Sequence, residues 1–264
     1  MFIFCHANGF PPDSYLELLK QIPIKPLTIL LAPLKRKFSP LDQKKNWNHF
    51  GDEMMEEIKN HIKNHGPVVG VGHSMGAIML LRAAVLEPSW FKKLILIDPT
   101  FLPETFVYAS NYLPRFINRK IHPVASKAYR RRDTWNSKQE AFDGFRNKRL
   151  FSKISDEGLW NYVNSVITEQ ILNDGSTSAF LNYSKQWEEH CFLSVINIWP
   201  LLKRCHAPIV GITGEKSELM TPKIIIRWKK IQPTSEIHTL KNCGHLVAFE
   251  KPKECAEIIK LHLD

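Results

Sequence analysis

Residues 67–88 read PVVGVGHSMGAIMLLRAAVLEP, and this stretch decides the fold. Val68 to Val71 is a short, apolar, β-branched run, which predicts a buried strand. Ala77 to Leu86 is apolar almost all round and stops before Pro88, which predicts a buried helix. Between them lie Gly72-His73-Ser74-Met75-Gly76. A G-x-S-x-G sequence at a strand-to-helix junction predicts a turn so tight that the serine is held in strained backbone geometry. The flanking glycines leave room for strand and helix to approach. Ser74 then points into a cleft at the start of the helix and is the candidate nucleophile. An ordinary glycine-rich β–α turn is the plain alternative, so a base, an acid and oxyanion donors must be found elsewhere.

On either side the chain alternates between strand and helix signals. Phe2 to Cys5 and Leu27 to Ala32 are strand candidates, and Trp47 to His65 has helical spacing through Phe50, Met54, Ile58 and Ile62. Leu94 to Ile97 is another buried strand, ending in Asp98-Pro99. Pro208 to Thr213 and Glu236 to Leu240 resume the strand rhythm, with helices at Pro222 to Lys230 and Pro252 to Leu263. Strands separated by helices predict an α/β fold with a mostly parallel sheet covered on both faces. Residues 101–205 break the pattern with aromatic-rich, helix-like pieces. They predict a helical cap inserted into a core made of residues 1–100 and 206–264.

At 264 residues the chain can bury one sizeable core. Its 44% hydrophobic and 23% charged residues are those of a soluble globular protein. No apolar run is long enough for an integral membrane segment, and Met1 to Phe4 is too short for a signal-peptide core, so the expected location is cytoplasmic. Cys5, Cys191, Cys205, Cys243 and Cys255 lack C-x-x-C spacing, which predicts reduced thiols and no metal site. The net charge of +10 comes without a nucleic-acid motif, so no nucleic-acid partner is expected. Seven basic residues and no acidic one lie between Arg115 and Arg132. They read as a solvated face, or as attraction for an anionic substrate or membrane surface.

A serine needs a histidine to take its proton and a carboxylate to orient that histidine. Among eleven histidines, His245 in Asn242-Cys243-Gly244-His245-Leu246 follows the last strand and precedes the last helix, the best position for the base. Glu215 and Glu218 after the penultimate strand, and Asp98 after the earlier one, are the candidate acids.

With these pieces in place, the chain resembles the α/β-hydrolase fold superfamily, in its capped esterase, lipase-like and C–C hydrolase branch. GHSMG resembles the nucleophile elbow, NCGHLVAFEKP the loop bearing the catalytic histidine, and His6-Ala7-Asn8-Gly9-Phe10-Pro11 an oxyanion loop with two residues added. The resemblance implies the α/β-hydrolase fold. It also favours Glu218 as the acid, since a serine followed by an acidic residue is a familiar variant there. It nominates the backbone amides of Phe10, with Asn8 second, and Met75 as oxyanion donors, and gives His6 a shaping role. A family strand hairpin is missing before β-strand one, so one sheet edge is expected to be short.

The expected chemistry is that of a serine hydrolase: attack of Ser74 on a carbonyl, an acyl intermediate, and release by water through His245, with no metal or organic cofactor. The expected partner is a small ester-type substrate, with thioester and C–C cleavage open, and acyl transfer beyond sequence discrimination. A non-catalytic ligand-binding protein on the same fold is the competing class. Phe106, Tyr108, Tyr112, Phe116, Trp135, Phe142, Trp160, Tyr162 and Trp187 are the aromatic residues from which a lid would draw an apolar acyl pocket, most of them forming its own core.

Overall fold

The computed structural model describes residues 1–263. Strands run in chain order as β1 (Phe2–Cys5), β2 (Leu27–Ile29), β3 (Val68–His73), β4 (Phe91–Ile97), β5 (Thr134–Trp135), β6 (Ile167–Ile171), β7 (Thr177–Leu181), β8 (Ile209–Gly214) and β9 (Glu236–Leu240). Six of them form one sheet in the order β2-β1-β3-β4-β8-β9, and every neighbouring pair is parallel. This is the α/β-hydrolase fold, and its strands read as continuous apolar runs because both sheet faces are covered.

Successive side chains of a strand point to opposite faces, and the core divides accordingly. Ile3, Cys5, Leu94 and Leu96 pack on one side with the helices Trp47–His65 and Met75–Leu86. Phe2, Phe4, Ile95 and Ile97 pack on the other with Cys255, Ala256 and Ile259 of the helix Pro252–Leu261. The helix Met75–Leu86 is buried at nearly every position, which is why it lacks a polar stripe.

The segment between β4 and β8 adds no strand to this sheet, and it is not purely helical. β5, β7 and β6 form a separate antiparallel sheet. The signal for it was the alternation of Thr177 to Leu181 after Asn173-Asp174-Gly175, a turn sequence between two short runs.

The basic stretch divides, and part of it has an explanation outside either reading. Arg115 and Arg119 both reach Glu189, which is buried, and Arg131 reaches Glu188. Glu188 and Glu189 belong to the helix Lys185–Leu193, so three of the seven cations hold the insertion together. Lys120, Lys127 and Arg130 remain exposed, and Arg132 pairs with Glu140 at the surface.

Glu189→Gln removes a buried charge that two guanidiniums share. We expect it to lower the unfolding free energy by roughly 1–3 kcal/mol in urea denaturation, with an unchanged slope.

Candidate active site

The register of two strands places the central residues. His73, the last residue of β3, pairs with Ile97, the last of β4. The next residues are Ser74 and Asp98, and their amides continue the ladder: Ser74 N–H donates to the Ile97 carbonyl and Asp98 N–H to the Ile212 carbonyl. Both then leave the sheet with positive φ, 53° at Ser74 and 37° at Asp98. Such angles are costly for residues with a Cβ and persist where the surroundings impose them. At the turn itself, a Cβ on Gly72 would lie 2.7 Å from the Ala77 nitrogen, and one on Gly76 would strike the Cys5 and His6 carbonyls. The turn therefore admits only glycine at both places.

His245 comes from the loop between β9 and the last helix. Its Nδ1 lies 2.7 Å from Asp98 Oδ2, and its Nε2 lies 3.0 Å from Ser74 Oγ. A carboxylate can only accept, so Nδ1 carries the proton and Nε2 offers its lone pair to the serine hydroxyl. Asp98 is 0% exposed and also accepts hydrogen bonds from the Gly214 amide at 3.0 Å and the Ser217 hydroxyl at 2.6 Å. Three donors thus stabilise its charge without water.

This corrects the choice of carboxylate. Glu218 is exposed, and Ser217 beside it is the residue that turns inward, donating to Asp98. Glu215 accepts instead from the Asn242 amide. The order serine, carboxylate, histidine along the chain is kept, with the carboxylate just after β4 rather than after β8.

The oxyanion loop also differs. Ala7 to Phe10 form a turn in which the Phe10 amide donates to the Ala7 carbonyl at 3.1 Å, with Gly9 at φ 75°. The Phe10 amide is therefore already occupied, and its ring packs between Tyr162, Phe151 and Phe249. Among the described residues no hydrogen bond engages the amide of Asn8, the second choice. The insertion grips this turn from above: Asn8 Nδ2 donates to the Glu188 carbonyl at 3.0 Å, and the Tyr183 hydroxyl to the Gly9 carbonyl at 3.3 Å. Met75 opens its helix, where backbone amides have no intrahelical partner. His6 bridges strand ends, its Nδ1 donating to the Ala7 carbonyl while its Nε2 accepts from the Leu31 amide.

Two contacts were not anticipated. Thr100 Oγ1 lies 3.0 Å from Ser74 Oγ, and because the serine proton is directed at His245, the threonine hydroxyl is the donor. His73 links both loops. The Ala7 amide donates to the Tyr15 hydroxyl at 3.0 Å, that hydroxyl to His73 Nδ1 at 2.8 Å, and His73 Nε2–H to the His245 carbonyl at 3.0 Å. Burial, and then the neighbouring His245, lower the pKa of His73 to about 3, so the chain runs through a neutral imidazole. Thr100 was legible in principle as a polar residue just past the carboxyl end of a buried parallel strand, where such sheets place their sites. Tyr15 gave no signal, being one aromatic residue in a short helical stretch.

The aromatic residues of the insertion are mostly buried: Trp135 and Phe142 pack within it, Tyr162 packs on Phe145 and Phe10, and Trp187 packs on Phe38 and Phe50 of the main core. Tyr108, Tyr112 and Phe116 face outward, Tyr112 being 84% exposed, so they do not line a pocket over Ser74, which is itself only 8% exposed.

A family model described as "Alpha/beta hydrolase family" matches residues 2–258. The chain belongs to this family. Among curated relatives, ethanol acetyltransferase 1 of Cyberlindnera jadinii is 24% identical over 217 residues, 79% of this chain and 63% of that protein. The chain thus matches less than two thirds of that relative's length. Abhydrolase domain-containing protein ACTT2-1 of Alternaria alternata is 24% identical over 233 residues, covering 75% of this chain and 83% of the relative. Among solved structures, the peroxisomal alpha-beta-hydrolase Lpx1 of Saccharomyces cerevisiae superposes with a TM-score of 0.78 at 18% identity, over 99% of this chain and 75% of that one. The esterase Rv0045c of Mycobacterium tuberculosis gives 0.71 at 18% identity, over 100% and 83%. At such identities the likeness is one of fold. No helix among the described residues is long and apolar enough to cross a membrane.

His6 and His73 generate a pH prediction. Burial lowers their pKa values from the ordinary 6.5 to about 4 and about 3. Below 6.5 the unfolded chain takes up protons that the folded one refuses, so this stability is complete above 6.5 and lost as pH falls toward the folded values. We expect the thermal midpoint to fall between about pH 7 and about pH 5, and His73→Gln to flatten the slope. A midpoint constant over that window would contradict the assignment.

Proposed function

We propose that the protein is a serine hydrolase that cleaves a carboxylic ester or thioester with a largely apolar acyl group. The observation that carries this reading is the continuous line Ser74–His245–Asp98, with contacts of 3.0 and 2.7 Å. His245 takes the serine proton as Ser74 attacks the carbonyl carbon, and Asp98 stabilises the resulting imidazolium. The amides of Met75 and Asn8 hold the tetrahedral oxyanion. His245 returns its proton to the leaving alcohol or thiol, and a water activated by the same imidazole releases the acid. Thr100, a donor to Ser74 Oγ, keeps the resting hydroxyl aimed at His245.

An apolar acyl group is the reading drawn from the aromatic-rich sequence between β4 and β8; Phe10, Phe151, Tyr162 and Phe249 themselves pack on one another where that segment meets the oxyanion turn. The insertion acts as a lid, since its Glu188 and Tyr183 hold that turn. A second reading, acyl transfer to a small alcohol, is favoured by the similarity to proteins named ethanol acetyltransferase 1. It uses the same acyl-enzyme and differs only in what attacks it. Added ethanol that diverts turnover of an acyl ester from acid to ethyl ester would select it.

A fluorophosphonate probe is expected to label Ser74 in the wild type and nothing at that position in Ser74→Ala; an unlabelled wild type would sink both readings. With p-nitrophenyl esters, Asp98→Asn is expected to lower kcat by about four orders of magnitude, as loss of the orienting carboxylate does in triad enzymes. Glu218→Gln should be close to wild type. Equal loss in both variants would return the acid to the loop after β8.

A further inference from the structure

Away from the serine, Glu236, His238 and His262 bring one carboxylate and two imidazoles together, with a ligand atom of each within 4.8 Å of the others. We propose that this cluster is a binding site for a transition-metal dication of the zinc type. Glu236 and His238 are two residues apart on β9, so they share a face of a strand that forms the edge of the sheet. His262 caps the C-terminal end of the helix Pro252–Leu261, where the unpaired carbonyls favour positive charge.

The distances suit one ion. His238 Nε2 lies 2.8 Å from Glu236 Oε1, and His262 Nε2 lies 3.6 Å from Glu236 Oε2. Ligand atoms about 2.0–2.2 Å from a tetrahedral zinc are separated by about 3.3 Å, a spacing that small side-chain rotations reach from these contacts, which are made to the two different oxygens of Glu236. The orientation of His238 points the same way. Its Nε2 is buried and makes no hydrogen bond despite the carboxylate beside it, so the nitrogen is not aimed along a line to that oxygen. An imidazole nitrogen without a hydrogen bond, next to a carboxylate and a second imidazole, is the donor set of a transition-metal site.

Two nitrogens and one oxygen select zinc, cobalt, nickel or copper over magnesium and calcium, which prefer oxygen ligands. Three protein ligands leave a fourth position for water. The five cysteines are buried and spread over the chain, and none enters the cluster. Bound metal would tie the edge strand to the last helix, with no step of the serine chemistry passing through it.

The test is calorimetric titration of the full chain, free of any histidine tag, with zinc chloride, beside His238→Ala, His262→Ala and the double variant. Cobalt provides a second readout, through the visible absorption of the four-coordinate ion. The wild type should bind one equivalent with micromolar or tighter affinity, and its thermal midpoint should rise with added zinc. Each single variant should lose at least the roughly 10–100-fold that even an outer supporting contact is worth to a metal site. The metal-free variants should keep the wild-type circular dichroism, which separates loss of a ligand from loss of fold. Failure of the wild type to bind, or equal binding in the double variant, would overturn the site. The first result would leave Glu236, His238 and His262 as a polar cluster joining the edge strand to the last helix, and the second would move the zinc elsewhere.

Discussion

The pairing of β3 with β4 is the constraint on which the site depends. Once His73 lies opposite Ile97, the next residue on each strand leaves the sheet at the same level. A slip by one position would send Ser74 or Asp98 to the other face, because side chains alternate along a strand. Both residues also carry positive φ. The strain is local, while the interactions that sustain it, parallel ladders and two packed faces, extend across the whole core. The mutual placement of Ser74 and Asp98 is therefore a property of the sheet, and His245 reaches both from a loop.

Much of this was legible from the chain. Val68 to Val71, Gly72 to Gly76 and Ala77 to Leu86 each specify their conformation locally, so strand, turn and helix could be read directly. His245 was legible because a histidine follows a glycine between the last strand and the last helix. Asp98 was harder to choose. Three carboxylates follow buried strands, and what separates them is non-local: β8 lies beside β4, so the Gly214 amide and Ser217 hydroxyl converge on Asp98 and leave Glu218 in solvent. Phe10 failed for a similar reason, since the hydrogen bond that occupies its amide depends on how the turn closes. The hairpin of β6 and β7 was missed although its turn sequence was present, because short alternating runs were outweighed by the helical character around them.

The arginines of the insertion illustrate how composition misleads. A run of seven cations without an acid reads as a charged surface, yet three of them, Arg115, Arg119 and Arg131, meet counter-charges far along the chain on one helix. Glu189 is buried beneath two guanidiniums, so the cluster contributes to the interior of the insertion. That same helix holds Asn8 through the Glu188 carbonyl, which couples the order of the insertion to the shape of the oxyanion turn.

The position of Asp98 has a consequence for how this protein could diversify. A carboxylate rooted in a central strand is fixed by neighbours on both sides, whereas one on a rim loop constrains that loop's length and charge. Here the segment from Gly214 to Leu219 gives Asp98 a backbone amide and one neutral hydroxyl, while its Glu215 carboxylate and Lys216 amide hold Asn242 and Cys243 of the loop that carries His245. A change at the exposed Glu218 therefore leaves the surroundings of Asp98 as they are, whereas a change at Glu215 reaches the His245 loop.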